Sequence, residues 1–186
     1  MPSTPNPHQP NLGTTVLSWW STHLAADRSD ARALSARLRR ATAPSQVLSE
    51  AAVHVLLTRL RSEARLGEAV LRDPVRIYRL VTVLAHVMTH TPKTPLFALA
   101  GRRASRGPDR LVLSHLRFQK VLMARPEELA TTLRRVLAMT EGRANVAALA
   151  RDLIFFDDST RQRWCFDYFQ SSAAIPQTPS KEETSA

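Results

Sequence analysis

The chain has 186 residues and a mass of 20.8 kDa, with 44% hydrophobic residues, a formal charge of +10 and a pI near 11.2. That apolar share excludes global disorder and suits one domain or two small lobes. The single cysteine, Cys165, excludes a disulfide within the sequence, and no apolar run approaches the roughly 20 residues of a membrane span.

Glycine is scarce and β-branched residues rarely cluster, which argues for helices over sheets. Of the 26 basic residues only Lys93, Lys120 and Lys181 are lysine. A guanidinium-rich basic chain points to a phosphate-bearing partner. A GC-rich genome would explain arginine over lysine, but not the excess over 16 acids.

Residues 1–11 carry four prolines and no apolar segment of the signal-peptide kind, so a disordered tail on a cytoplasmic protein is expected. Leu12 to Ala26 reads as the first helix, with Val16, Leu17, Trp20 and Leu24 on one face and Trp19 at its edge. Adjacent tryptophans could stack on bases, but their helical spacing favours core packing. A second helix covers Ser29 to Ala41, ended by Pro44. Ser45 then caps a longer helix carrying Leu48, Ala52, Val55, Leu56 and Leu60. Asp73-Pro74 opens a helix running through Ile77, Val81, Leu84 and Met88 and stopped by Pro92. Pro95 to Ala100 forms a short helical turn closed by Gly101.

Gly101 to Arg110 is the clearest break in the chain, with Arg102, Arg103, Arg106 and Arg110 among two glycines and a proline. It reads as a solvated linker, as a loop that grips a nucleic-acid backbone, or as both. Beyond it, Ser114 can cap a helix bearing Arg117 and Lys120 on one side. Pro126 can open the next, with Leu129, Leu133, Val136 and Leu137 inward, Arg135 outward and Arg134 on the flank. Gly142 ends that helix and Asn145 caps another, apolar at Val146, Leu149, Ala150, Leu153 and Ile154. Asp157, Asp158 and Ser159 start the last helix, which Trp164 and Tyr168 lock onto the core. Residues 171–186 read as a second disordered tail. The expected architecture is all-α, seven to nine helices and no sheet, in an N-terminal lobe over 12–100 and a C-terminal lobe over 111–170.

No catalytic constellation emerges. The phosphate-cradling glycine motifs and the nucleophile elbow are absent from the sequence. His86 and His90 are spaced i, i+4, but no HExxH surrounds them and no nearby carboxylate supplies a third ligand. A binding protein without catalysis, cofactor, metal or small-molecule substrate is the expectation.

The order and spacing of LSHLRF (Leu113 to Phe118), LRRVL (Leu133 to Leu137), ARDLIFF (Ala150 to Phe156) and RQRWCFDYF (Arg161 to Phe169) resemble the CasB family. Trp19-Trp20 and the basic run from Arg32 to Ala41 fit as well, so the resemblance spans about Leu12 to Ser171. CasB is the small subunit of the type I-E CRISPR Cascade complex. The resemblance implies two helical bundles, two copies per complex, and contacts with the backbone and large subunits. It also implies binding to the guide RNA–target DNA heteroduplex and the displaced single strand, with no nuclease activity.

The residues are consistent with that role. R-loop formation exchanges duplexes of similar stability, so contacts to the displaced strand tip the balance. Arginine forks on rigid helices grip phosphates without reading sequence. Arg39 and Arg40, Arg117 and Lys120, and Arg134 and Arg135 form the expected main track; Arg102, Arg103, Arg161 and Arg163 are a second tier. Two other readings of the residues stay open: a helical sequence-specific DNA-binding regulator, and an interaction scaffold for an acidic partner.

Overall fold

The computed structural model describes residues 11–105 and 110–173. The expected N-terminal tail (but for Asn11), residues 106–109 of the basic loop, and residues 174–186 fall outside that range. Eleven helices occur among the described residues: α1 (Leu12–His23), α2 (Ser29–Arg40), α3 (Pro44–Leu48), α4 (Ala51–Ser62), α5 (Glu68–Leu71), α6 (Pro74–Leu84), α7 (Leu96–Ala100), α8 (His115–Leu122), α9 (Leu129–Met139), α10 (Val146–Ile154) and α11 (Asp158–Ala173). The fold is all-α, apart from β1 (Thr89–His90) and β2 (Arg143–Ala144), which form a two-residue parallel pairing.

Helix α6 is the hub, packing against α2, α3, α5, α9 and α10. The Asp73 carboxylate accepts the Arg76 amide at 3.0 Å, and Pro74 occupies the first turn. Ile77, Leu80, Val81, Val83 and Leu84 are fully buried, and Arg79 and Thr82 are buried beside them, so most of the helix surface is covered. Each of those apolar side chains contributes about 1.5–3 kcal/mol of burial. The core is continuous across the basic loop: α10 lies against α1 and α6, and α11 against α7.

Both tryptophans of α1 are core residues. The Trp19 indole N–H donates to the Ala52 carbonyl at 2.8 Å, and that of Trp20 to the Leu84 carbonyl at 3.2 Å. A second, aromatic cluster joins α7, α8 and α11. Phe97 meets Trp164 at 4.5 Å between ring centroids, and Phe118 stacks on Tyr168 at 4.0 Å. The Tyr168 hydroxyl donates to the Leu113 carbonyl, and burial pushes its pKa up to about 12. Gly101 is required here, because a Cβ would fall 2.3 Å from the Tyr168 carbonyl oxygen.

Several helix boundaries differ from those expected. The long helix expected from Ser45 breaks at Ser49–Glu50 into α3 and α4. Pro44, not Ser45, opens α3, and Gln46 Oε1 accepts the Thr42 and Ala43 amides. Glu50 leaves helical conformation where its carboxylate pairs with Arg37 on α2 at 2.6 Å. The helix expected to reach Met88 ends at Leu84, because its last carbonyls are taken from outside. Trp20 donates to Leu84, while Ser35 and Arg39 donate to Ala85. Pro126 lies in a turn ahead of α9, which begins at Leu129. Helix α11 continues to Ala173, into the segment read as tail.

Candidate nucleic-acid interface

Ion pairing divides the arginines of this protein. Arg28, Arg32, Arg37, Arg59, Arg61, Arg72 and Arg76 each hold a carboxylate within the segment from Asp27 to Asp73. The hydrogen bond from Arg37 holds the Glu50 carboxyl below its usual pKa, and the one from Arg59 does the same to Glu63. These cations are already neutralised locally.

The expected main track is different. Arg39, Arg40, Arg117, Lys120, Arg134 and Arg135 form no ion pair among the described residues. Arg40 is exposed at the end of α2, Arg117 and Lys120 are exposed on α8, and Arg135 is exposed on α9. Arg102 and Arg103 are exposed beyond α7, with Arg103 in an antiparallel bridge to Leu111. The remaining two candidates are engaged within the fold. Arg161 donates to the Leu122 and Ala124 carbonyls and lies 4.4 Å over the Phe156 ring. Arg163 pairs with Asp152 at 2.9 Å. Asp152 also accepts the Trp164 indole N–H at 2.7 Å, and its burial raises its pKa.

Two of the main-track residues meet in space. Arg39 from α2 and Arg134 from α9 line one open cleft of about 340 Å³, together with His86, Met88, Leu137, Ala138, Glu141 and Gly142. The Arg39 Nε–H is fixed on the Ala85 carbonyl at 2.6 Å. Nδ1–H of His86 donates to the Thr82 carbonyl at 2.9 Å. Burial, with Arg134 and Arg39 nearby, lowers the His86 pKa. Gly142 adopts φ +70°, and its carbonyl accepts the Met88 and Thr89 amides, closing the floor.

Sequence spacing did not find this cleft. It placed His86 and His90 on one helix face, whereas His86 lies in the turn after α6 and His90 in β1. His90 Nδ1 accepts the Val146 amide, so the two imidazoles serve separate structural bonds. No group of three or more metal-ligating side chains occurs among the described residues.

The sequence profile of the CRISPR-associated protein Cse2 matches residues 34–169. The chain belongs to the Cse2 family. That match bears out the resemblance to CasB read from the motifs, and two solved structures share the fold. CasB from Thermus thermophilus aligns with a TM-score of 0.65 at 19% identity, over 87% of this chain and 99% of that one. A chain of E. coli Cascade bound to a PAM-containing dsDNA target aligns with a TM-score of 0.61 at 18% identity, over 86% and 97%. At these identities the likeness shows the Cse2 fold. No curated protein matches the sequence.

Proposed function

We propose that this Cse2-family chain is the non-catalytic small subunit of a type I-E Cascade ribonucleoprotein. It binds nucleic acid without sequence preference and stabilises the R-loop, holding the displaced strand and the guide RNA–target DNA heteroduplex. Its partners on this reading are the backbone and large subunits and a second copy of itself. The observation that carries the reading is the set of cations on α2, α8 and α9 that lack ion pairs among the described residues, whereas seven arginines between Arg28 and Arg76 each hold a carboxylate. Free guanidinium groups on rigid helices are suited to phosphates.

The test is binding of the full chain to unrelated single-stranded DNA, duplex DNA and RNA across a salt titration. Sequence-indifferent binding is expected, with log affinity falling by about 0.7 per log unit of salt for each single-strand phosphate neutralised. Tight binding to one duplex sequence would support a regulator instead. Charge reversal of Arg134 and Arg135 that leaves affinity and slope unchanged would remove that pair from the track.

A further inference from the structure

Helix α11 uses its aromatic side chains in two ways. Trp164 and Tyr168 are buried and hydrogen-bonded, the first to the Asp152 carboxylate and the second to the Leu113 carbonyl. Phe166 and Phe169 are 67% and 50% exposed. They lie three residues apart, so they are neighbours on one side of the helix. A phenylalanine left in water forfeits the burial its ring offers, and a patch of such rings marks a binding surface. The Phe169 ring is also held in place. It stands perpendicular to Tyr168 at 5.2 Å between centroids and nearly so to Phe118 at 6.0 Å, and it meets the exposed His115 imidazole at 5.7 Å. A ring fixed by its neighbours yet half open to solvent loses little freedom when a partner lands on it.

The charge beside it says what that partner is. Two segments between α7 and α8 are anchored on Tyr168. Gly101 abuts its carbonyl, and the Leu113 carbonyl accepts its hydroxyl. Between these anchors the Val112 amide donates to the Arg102 carbonyl at 2.8 Å, and the Ala104 amide to the Arg110 carbonyl at 2.7 Å. Arg102, Arg103 and Arg110 are therefore carried on backbone tied to Tyr168, the residue before Phe169. All three are exposed, and none forms an ion pair among the described residues. Open rings beside unpaired cations match a single strand, which offers a π face from every base and a phosphate between each pair. A duplex keeps its base faces inside its own stack. An acidic protein surface would answer the cations and leave the rings without a planar partner.

We propose that the exposed face of α11 is a base-stacking platform for single-stranded nucleic acid: unpaired bases lie on the Phe169 and Phe166 rings, and Arg102, Arg103 and Arg110 hold the phosphates beside them. The platform is indifferent to sequence, because all bases stack. The inference rests on the nucleic-acid reading above and adds to it a contact with the bases, which the arginine track lacks.

Fluorescence anisotropy on the full chain tests it with two labelled twelve-residue strands at one salt concentration, one of thymidines and one abasic. Both carry the same phosphates, and only the first has bases. Wild type is expected to bind the thymidine strand about tenfold more tightly. Phe166→Leu and Phe169→Leu keep an apolar side chain and remove the ring. Each is expected to weaken binding of the thymidine strand about fivefold and of the abasic strand by less than about twofold. Thermal melts check that both variants fold, and Phe166→Leu, at the more exposed position, keeps the test open if Phe169→Leu does not. Equal wild-type affinity for the two strands overturns the platform, spares the basic surface and gives the rings to a protein partner. A preference for bases that both leucine variants retain also overturns the platform. Absence of wild-type binding to either strand overturns the platform and the nucleic-acid reading together.

Discussion

Two arginine sites in this protein show what a guanidinium does when its neighbours match it and when they do not. Arg79 is buried on α6, and its donor edge closes on the Leu153 carbonyl of α10. Arg134 lies half-buried on α9, and the same edge is sealed from solvent with no acceptor among the described residues. The first arrangement is structural, since a satisfied donor pair ties two helices together. The second is a costly arrangement, because a desolvated donor edge without an acceptor forfeits its hydrogen bonds. What separates them is whether an acceptor stands at the edge.

The sharpest way to test the closed side is to crowd it. Gly101→Ala puts a methyl group against the Tyr168 backbone, which cannot step aside as a side chain could. About 3 kcal/mol of lost stability is expected by urea denaturation. Arg79→Ala removes the donor, leaves the Leu153 carbonyl unpaired and opens a cavity. A loss of about 2–3 kcal/mol is expected, with oligonucleotide affinity unchanged in the fraction that folds. Asp152→Ala leaves the Trp164 indole N–H without its acceptor and takes the carboxylate from Arg163, with an expected loss of about 2 kcal/mol.

Arg134→Met should break the symmetry of the comparison. It deletes a donor edge without an acceptor in place of a hydrogen-bonded one, so stability should stay within about 1 kcal/mol of wild type while oligonucleotide binding weakens. If Arg134→Met unfolds the protein as Arg79→Ala does, the two sites are not different in kind.

Protonation offers a gentler perturbation. Burial lowers the pKa of His86 and of His90 below 6.5, so the unfolded chain takes up protons before the folded one does. Folding stability is therefore full above that value and falls as pH drops through it. The urea midpoint is expected to be lower at pH 5.5 than at pH 7.5, and His86→Gln should flatten the difference. The smallest effect is expected for exposed charge: Arg40→Gln should reduce the single-strand salt slope by about 0.7 with no change in melting.

Much of the scaffold was legible because local rules and tertiary packing agree. Asp73-Pro74, Asn145 and Asp157 each mark a helix start and each accepts the expected backbone amide. Trp164 and Tyr168 fell four apart, and both are buried. Where the reading slipped, a long-range partner overrode the local preference. Glu50 breaks its helix where it meets Arg37, and Ala85 gives its carbonyl to Arg39. The cleft was illegible for the same reason: Arg39 and Arg134 belong to different helices, which meet through α6 far from either in sequence. The unpaired state of Arg134 is a matter of which carboxylates lie elsewhere, and no local window contains that information.

The seat of α1 on α10 has a consequence for how the protein is made. The ribosome releases the first helix long before the helix that covers it. Trp19 and Trp20 find the Ala52 and Leu84 carbonyls early, yet α1 stays partly bare until Val146–Ile154 emerges. The nascent chain must therefore leave part of an aromatic helix uncovered until α10 is made, more than a hundred residues further along.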